Sequence, residues 1–135
     1  YNRYGDYILY RENNLSGENF GIKRAFYNAD HITQADWRGI NGMYDSFASK
    51  GVSVYFTYSP RSRTSISEDS TEESIAELDA LFRQKLHAPV ISDIHSSLMD
   101  PLYFYATDNH LSTEGVQIHT AQVIGDLRRA LEGEA

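Results

Sequence analysis

Gly51-Val-Ser-Val-Tyr-Phe-Thr-Tyr-Ser-Pro60 is the stretch on which the fold turns. Between its glycine and its proline, every residue of 52–58 except Ser53 is β-branched or aromatic, and none is charged. A strand with one wet face alternates polar and apolar residues; this one does not, so it reads as a central strand buried on both sides, as in a parallel sheet. Upstream, Trp37, Ile40, Tyr44 and Phe47 recur at helical spacing and Gly51 stands where a C-terminal cap glycine belongs, which predicts a helix over 34–50. Downstream, 59–69 is polar and Ser70-Thr-Glu-Glu73 matches a capping box. The helix that follows presents Ile75, Leu78, Phe82 and Leu86 and must stop before Pro89.

Val90-Ile-Ser-Asp-Ile94 reads as a second short strand, and 95–112 as a long connection. Ser112 then caps a last helix whose expected buried stripe is Val116, Thr120, Val123, Leu127 and Leu131. Strands separated by helices imply right-handed crossovers and a parallel sheet covered on both faces. Two parallel strands do not make a stable sheet, so the remainder is expected upstream. Within residues 1–31 only Tyr7-Ile-Leu-Tyr10 reads as a strand. Tyr44, Tyr55 and Tyr58 are expected in the core, and 59–70 is the one candidate flexible lid.

Composition narrows the function. A chain of 135 residues with 41% hydrophobic content fits one domain. A net charge of −7 argues against nucleic acid as a partner. With no cysteine there is neither disulfide nor thiolate metal site. No apolar run approaches the roughly 20 residues a membrane span needs, and no cofactor motif is present. The opening Tyr1, in place of Met, points to a processed or excised chain.

The chemistry concentrates in Tyr105-Ala-Thr-Asp108-Asn-His110-Leu-Ser-Thr-Glu-Gly115, after the last strand and before the last helix, at the carboxyl edge where open α/β sheets hold their sites. A serine hydroxyl needs a base near neutral pKa, and an imidazole needs a carboxylate to fix its tautomer. An acid two residues before a histidine on one short loop meets both needs. The plainer reading is an Asx turn at Asp108-Asn109 leading into a helix, with His110 solvated. A third is metal binding, since Asp93-Ile-His95 and Asp108-Asn-His110 are both Asp-x-His units. Arg61 and Arg63 fall at the same edge, suited to an anionic substrate group or merely solvated. Tyr105, within the aromatic run 103–105, is a weaker substrate contact. His119 reads as a rim or core residue of the last helix, and His31 and His87 as helix-end residues.

The Asp108-x-His110-Leu-x-x-x-Gly115 run followed by an amphipathic helix resembles the final block of the SGNH (GDSL-like) hydrolase superfamily, over roughly residues 33–132. Its one-residue gap is similar to that of cell-envelope O-acyltransferases. The resemblance implies a flavodoxin-like three-layer α/β fold with a parallel sheet, residues 1–135 forming the C-terminal portion of one such domain. It also implies an esterase or acyltransferase with His110 as base and Asp108 as orienter, acting on acylated carbohydrate or an envelope polymer outside the cytoplasm. The first-block serine and the oxyanion residues of the middle blocks have no match here, which places them on a missing N-terminal half. The alternatives are a non-catalytic carbohydrate-binding module in an SGNH-like shell and a metal-dependent phosphoesterase.

Overall fold

The computed structural model describes residues 1–5, 8–13 and 25–133. Helix α1 (Gln34–Ala48) starts in a reciprocal capping box. The Thr33 side chain accepts from the Asp36 N–H, and the Asp36 carboxylate accepts from the Thr33 hydroxyl at 2.7 Å and the Thr33 N–H at 2.8 Å, which together lower the Asp36 pKa. Helix α2 (Glu72–Lys85) is capped by Thr71, one residue later than the sequence motif places it, and ends at Leu86 ahead of Pro89. Then come a single turn, α3 (Ile94–Ser97), and the long α4 (Thr113–Glu132), capped by Ser112 as expected.

Segments 52–62 and 90–99 run parallel, as the crossover argument requires. Phe56 bridges Val90, and β1 (Arg61–Ser62) pairs with β2 (Leu98–Met99) in the register Arg61 with Leu98 and Ser62 with Met99. Ala25 adds a parallel bridge to Ile66. Among the described residues the architecture is therefore mixed α/β around a small parallel sheet. The strand expected over 90–94 is cut short because the Asp93 side chain accepts from the His95 N–H at 3.0 Å and turns the chain into α3.

The core gathers where α1 and α2 meet segment 52–58. Trp37 stands edge-on to Phe82, and Phe82 packs against Phe56 and Tyr58. A polar clasp closes one side. The Tyr58 hydroxyl donates to Asp79 at 2.8 Å, Asp79 accepts from Arg83 Nε at 2.8 Å, and the Arg83 guanidinium donates to the Val90 and Ser92 carbonyls. Burial, reinforced by Asp79, raises the Tyr58 pKa well above 10, and Asp79 raises that of Arg83.

Four expectations are corrected. The central strand read over 52–58 as buried on both sides is reduced to the bridge of Phe56 with Val90; Val52 is 46% exposed and Tyr58 alone of the segment is fully buried. The face of α4 that packs is Gly115, Ile118, Val123 and Asp126, while Val116, Leu127 and Leu131 are 38%, 37% and 68% exposed. On α1 only Trp37 is buried, and Ile40 and Phe47 are exposed. In both helices the apolar stripe is wider than the surface lying against it. The 59–70 segment is no free lid, because β1 and a 3₁₀ turn over Arg63–Ser65 tie it into the sheet with Ser62 and Ser65 buried. Tyr58 is buried as expected; Tyr44 and Tyr55 are half-buried. Of the short strand read at 7–10, Tyr7 lies outside the described residues; Ile8, Leu9 and Tyr10 are exposed.

Candidate functional site

The 95–112 connection is built to present its tip at the carboxyl edge. Asp100 caps a 3₁₀ turn at Pro101–Tyr103, and Phe104, 1% exposed, anchors the loop between Met99 and Leu111. The Tyr105 N–H donates to the His110 carbonyl at 2.7 Å, closing residues 106–109 into a tight reversal that holds Ala106 at φ 60°. A left-handed alanine costs on the order of 1 kcal/mol, which the surrounding bonds must offset. Within the reversal, Thr107 Oγ1 accepts from the His110 N–H at 3.1 Å. The Ser62 N–H donates to the Asp108 carbonyl at 2.8 Å, so the loop is sewn to β1.

The Asp108 carboxylate pairs with Arg61 Nη1 at 3.0 Å, with side-chain exposures of 15% and 32%. Its partner is thus a cation from the opposite segment; the His110 ring, exposed, makes no hydrogen bond to a described residue. Tyr27, absent from the sequence reading, is drawn in as well. Its hydroxyl lies beside Ser97 and Arg61, and burial raises its pKa against the lowering effect of Arg61. The arginine expected to hold substrate is therefore paired with the Asp108 carboxylate. No local pattern links residues 27, 61, 97 and 108; only the parallel register brings them together.

Arg63 donates to the Leu98 carbonyl at 3.1 Å and, with His95 and Leu98, forms the wall shared by two open clefts of about 400 and 300 Å³. Of the aromatic run, Tyr105 is 42% exposed and Tyr103 lines the smaller cleft. The serines near the loop divide sharply. Ser62 and Ser65 are 1% and 0% exposed, and the Ser65 hydroxyl donates to the Ser62 carbonyl at 2.8 Å, so both are structural; Ser59 is exposed. Asp93 is spent on capping α3, and among the described residues no group of three His, Asp or Glu is placed to hold a metal ion. His87 pairs with Asp45 at 2.8 Å, His31 packs on Phe26, and His119 is half-buried on α4. No described helix is long and apolar enough to cross a membrane.

Gly115 was legible only as part of a motif. A Cβ there would fall well inside 3.0 Å of the Tyr103 carbonyl oxygen and 3.1 Å from Leu111 Cδ2, so glycine lets the first turn of α4 lie on the loop. The same Tyr103 carbonyl accepts the Ser112 N–H at 2.9 Å. Comparison of the chain with protein-family models, curated proteins and solved structures finds no match.

Proposed function

We propose that this chain supplies the base and acid of an SGNH-type serine esterase or O-acyltransferase acting on acylated carbohydrate or an envelope polymer, within a flavodoxin-like three-layer domain. The observation that carries the reading is the placement of His110: its imidazole is exposed and makes no hydrogen bond to a described residue at the carboxyl edge of parallel segments, on a loop pinned from both sides. In the reaction, His110 takes the proton of an attacking serine hydroxyl as that oxygen bonds the acyl carbon. It then returns the proton to the departing alcohol, and a second cycle delivers the acyl group to water or an acceptor hydroxyl. Asp108 stabilises the imidazolium once a side-chain rotation carries it from Arg61 onto the ring. Arg63, at the junction of the two clefts, is placed for an anionic substituent of the substrate. Ser62 and Ser65 are sealed, and the proposal takes its nucleophile from the first block of the superfamily, which residues 1–135 do not match.

One observation favours a second reading, a non-catalytic binding module: the Asp108 carboxylate sits on Arg61 and not on His110. Fluorophosphonate labelling with peptide mapping separates the two. Residues 1–135 alone should stay unlabelled. In the whole gene product the label should fall on a serine outside this chain, be lost in His110→Ala and be weakened in Asp108→Asn. A label on Ser59 would make this chain self-sufficient; no label, with His110→Ala still binding an acetylated glycan, would establish the binding module.

A further inference from the structure

The groups on the wall shared by the two clefts are not consumed by the fold. The Arg63 guanidinium donates one N–H to the Leu98 carbonyl at 3.1 Å and makes no other hydrogen bond to a described residue. Beside it in the smaller cleft, the Tyr103 hydroxyl and the Gln122 amide make no hydrogen bond to a described residue, and the exposed His95 ring has only Glu72, 3.7 Å away. Four separate segments deliver these side chains: the 3₁₀ turn at Arg63–Ser65, α3, the 3₁₀ turn at Pro101–Tyr103, and α4. They share the cleft with Leu98 and Met99, both buried, and Ile118. An apolar lining with convergent, uncommitted polar groups is the arrangement of a small-molecule site.

The charges on the lining select the ligand. Arg63 is the one fixed cation lining either cleft, and the exposed carboxylates of Glu72 and Asp100 line the larger and the smaller cleft. A phosphate monoester brings close to two negative charges at neutral pH, which one guanidinium between two carboxylates does not balance. A carboxylate brings one, and its planar pair of oxygens matches the planar guanidinium. The volumes set the length. About 400 and 300 Å³ lie at the small end of the roughly 300–1,000 Å³ of ligand pockets, so neither cleft holds a chain alone, and a ligand that uses both must cross Arg63. That junction adjoins the His110 loop, because Arg63 follows Ser62, whose N–H holds the Asp108 carbonyl at 2.8 Å.

We propose that the two clefts are adjoining subsites for a glycan bearing a carboxylate, with one sugar ring in each and the carboxylate on Arg63. The carbohydrate rests on the proposed function; the charge and the two-ring length come from the clefts. Arg63 presents its remaining N–H groups to the carboxylate, Tyr103 and Gln122 bond ring hydroxyls in the smaller cleft, and the apolar lining of Leu98, Met99 and Ile118 covers the C–H face of that ring. Glu72 opposes the anion from the larger cleft, which selects against more highly charged ligands.

Isothermal titration of the whole gene product with the disaccharide of glucuronate and N-acetylglucosamine tests this. Glucuronate alone should bind several-fold more weakly, and glucose 6-phosphate more weakly than glucuronate. Neutral diacetylchitobiose should bind at least about tenfold more weakly than the acidic disaccharide, the loss of one charged hydrogen bond. Arg63→Ala should lose the same factor, Arg63→Lys, which keeps the charge and not the fork, should recover part of it, and Glu72→Gln should tighten binding about two- to fivefold. Circular dichroism checks that each variant folds, and tighter binding in Glu72→Gln is a change that damage to the structure does not produce. Diacetylchitobiose or glucose 6-phosphate bound as tightly as its carboxylate counterpart, undiminished affinity in folded Arg63→Ala, or no binding of the acidic disaccharide at millimolar concentration would each overturn the proposal. The outcome is separable from that of the proposed function: no binding with His110-dependent serine labelling intact sinks this site alone, whereas binding without any labelling leaves the site standing and removes the esterase.

Discussion

Replacing Gly115 by alanine should destabilise the protein although helix propensity argues the reverse. An alanine in a helix interior is worth about 1 kcal/mol over glycine, and at Gly125, where an added Cβ meets only Arg129 Nη1 at 3.6 Å, that gain should be realised as about 0.4–1 kcal/mol. At Gly115 the new methyl meets the Tyr103 carbonyl, which is backbone and cannot rotate aside, with Leu111 and Tyr103 Cβ each at 3.1 Å. Restoring ordinary contact requires α4 to lift by about 1 Å. Overpacking of this kind costs about 1–3 kcal/mol, and the immovable partner puts Gly115→Ala at the upper end, so the net loss is roughly 1–2 kcal/mol after the propensity gain. Urea unfolding followed by circular dichroism should lower the midpoint for Gly115→Ala and raise it for Gly125→Ala. Two glycines of one helix moving oppositely is the signature of a close approach. If Gly115→Ala is as stable as wild type, the α4 contact with the loop is wrong, and with it the placement of His110. On the proposed function, a 1 Å displacement of that loop also removes about 10²-fold of esterase activity.

Tyr58→Phe and Arg83→Ala should be non-additive in a double-mutant cycle, because both act on Asp79. The hydroxyl-to-carboxylate bond of the buried Tyr58 should be worth about 1.5 kcal/mol, the low end for bonds to charged groups, since Arg83 still satisfies Asp79 and is itself 45% exposed. Additive losses would show that the clasp is two separate contacts. The same tyrosine predicts alkaline lability. Its folded pKa lies above the ordinary 10.0, as does that of Tyr27. Above pH 10 the unfolded chain gives up protons that the folded chain keeps, so stability is full below about pH 10 and falls as the pH rises through the folded values. Urea midpoints measured from pH 8 to 11 should fall above pH 10, less steeply in Tyr58→Phe; equal slopes would exclude Tyr58 as a source.

What the sequence disclosed, and what it withheld, follows from the range of each interaction. Caps and breakers act over three or four residues, so Ser112, the glycine after α1 and Pro89 placed helix ends to within a residue or two. The parallel order of 52–58 and 90–94 was legible because a helix between two strands allows little else. The stripe on α4 was misplaced because Val116, Leu127 and Leu131 are as apolar as Ile118 and Val123. Periodicity reports which face is apolar, and only tertiary structure decides which part of a broad apolar arc finds a partner. The site shows the same division. Asp108 and His110 stand two residues apart and announce themselves. The partner of Asp108 is Arg61, 47 residues away, and the hydroxyl beside Arg61 comes from Tyr27. Such long-range pairing leaves no local signal in a single chain. It also ties the Arg61 guanidinium to Asp108, which on the proposed reading leaves Arg63, on the wall shared by the two clefts, as the cation facing open space.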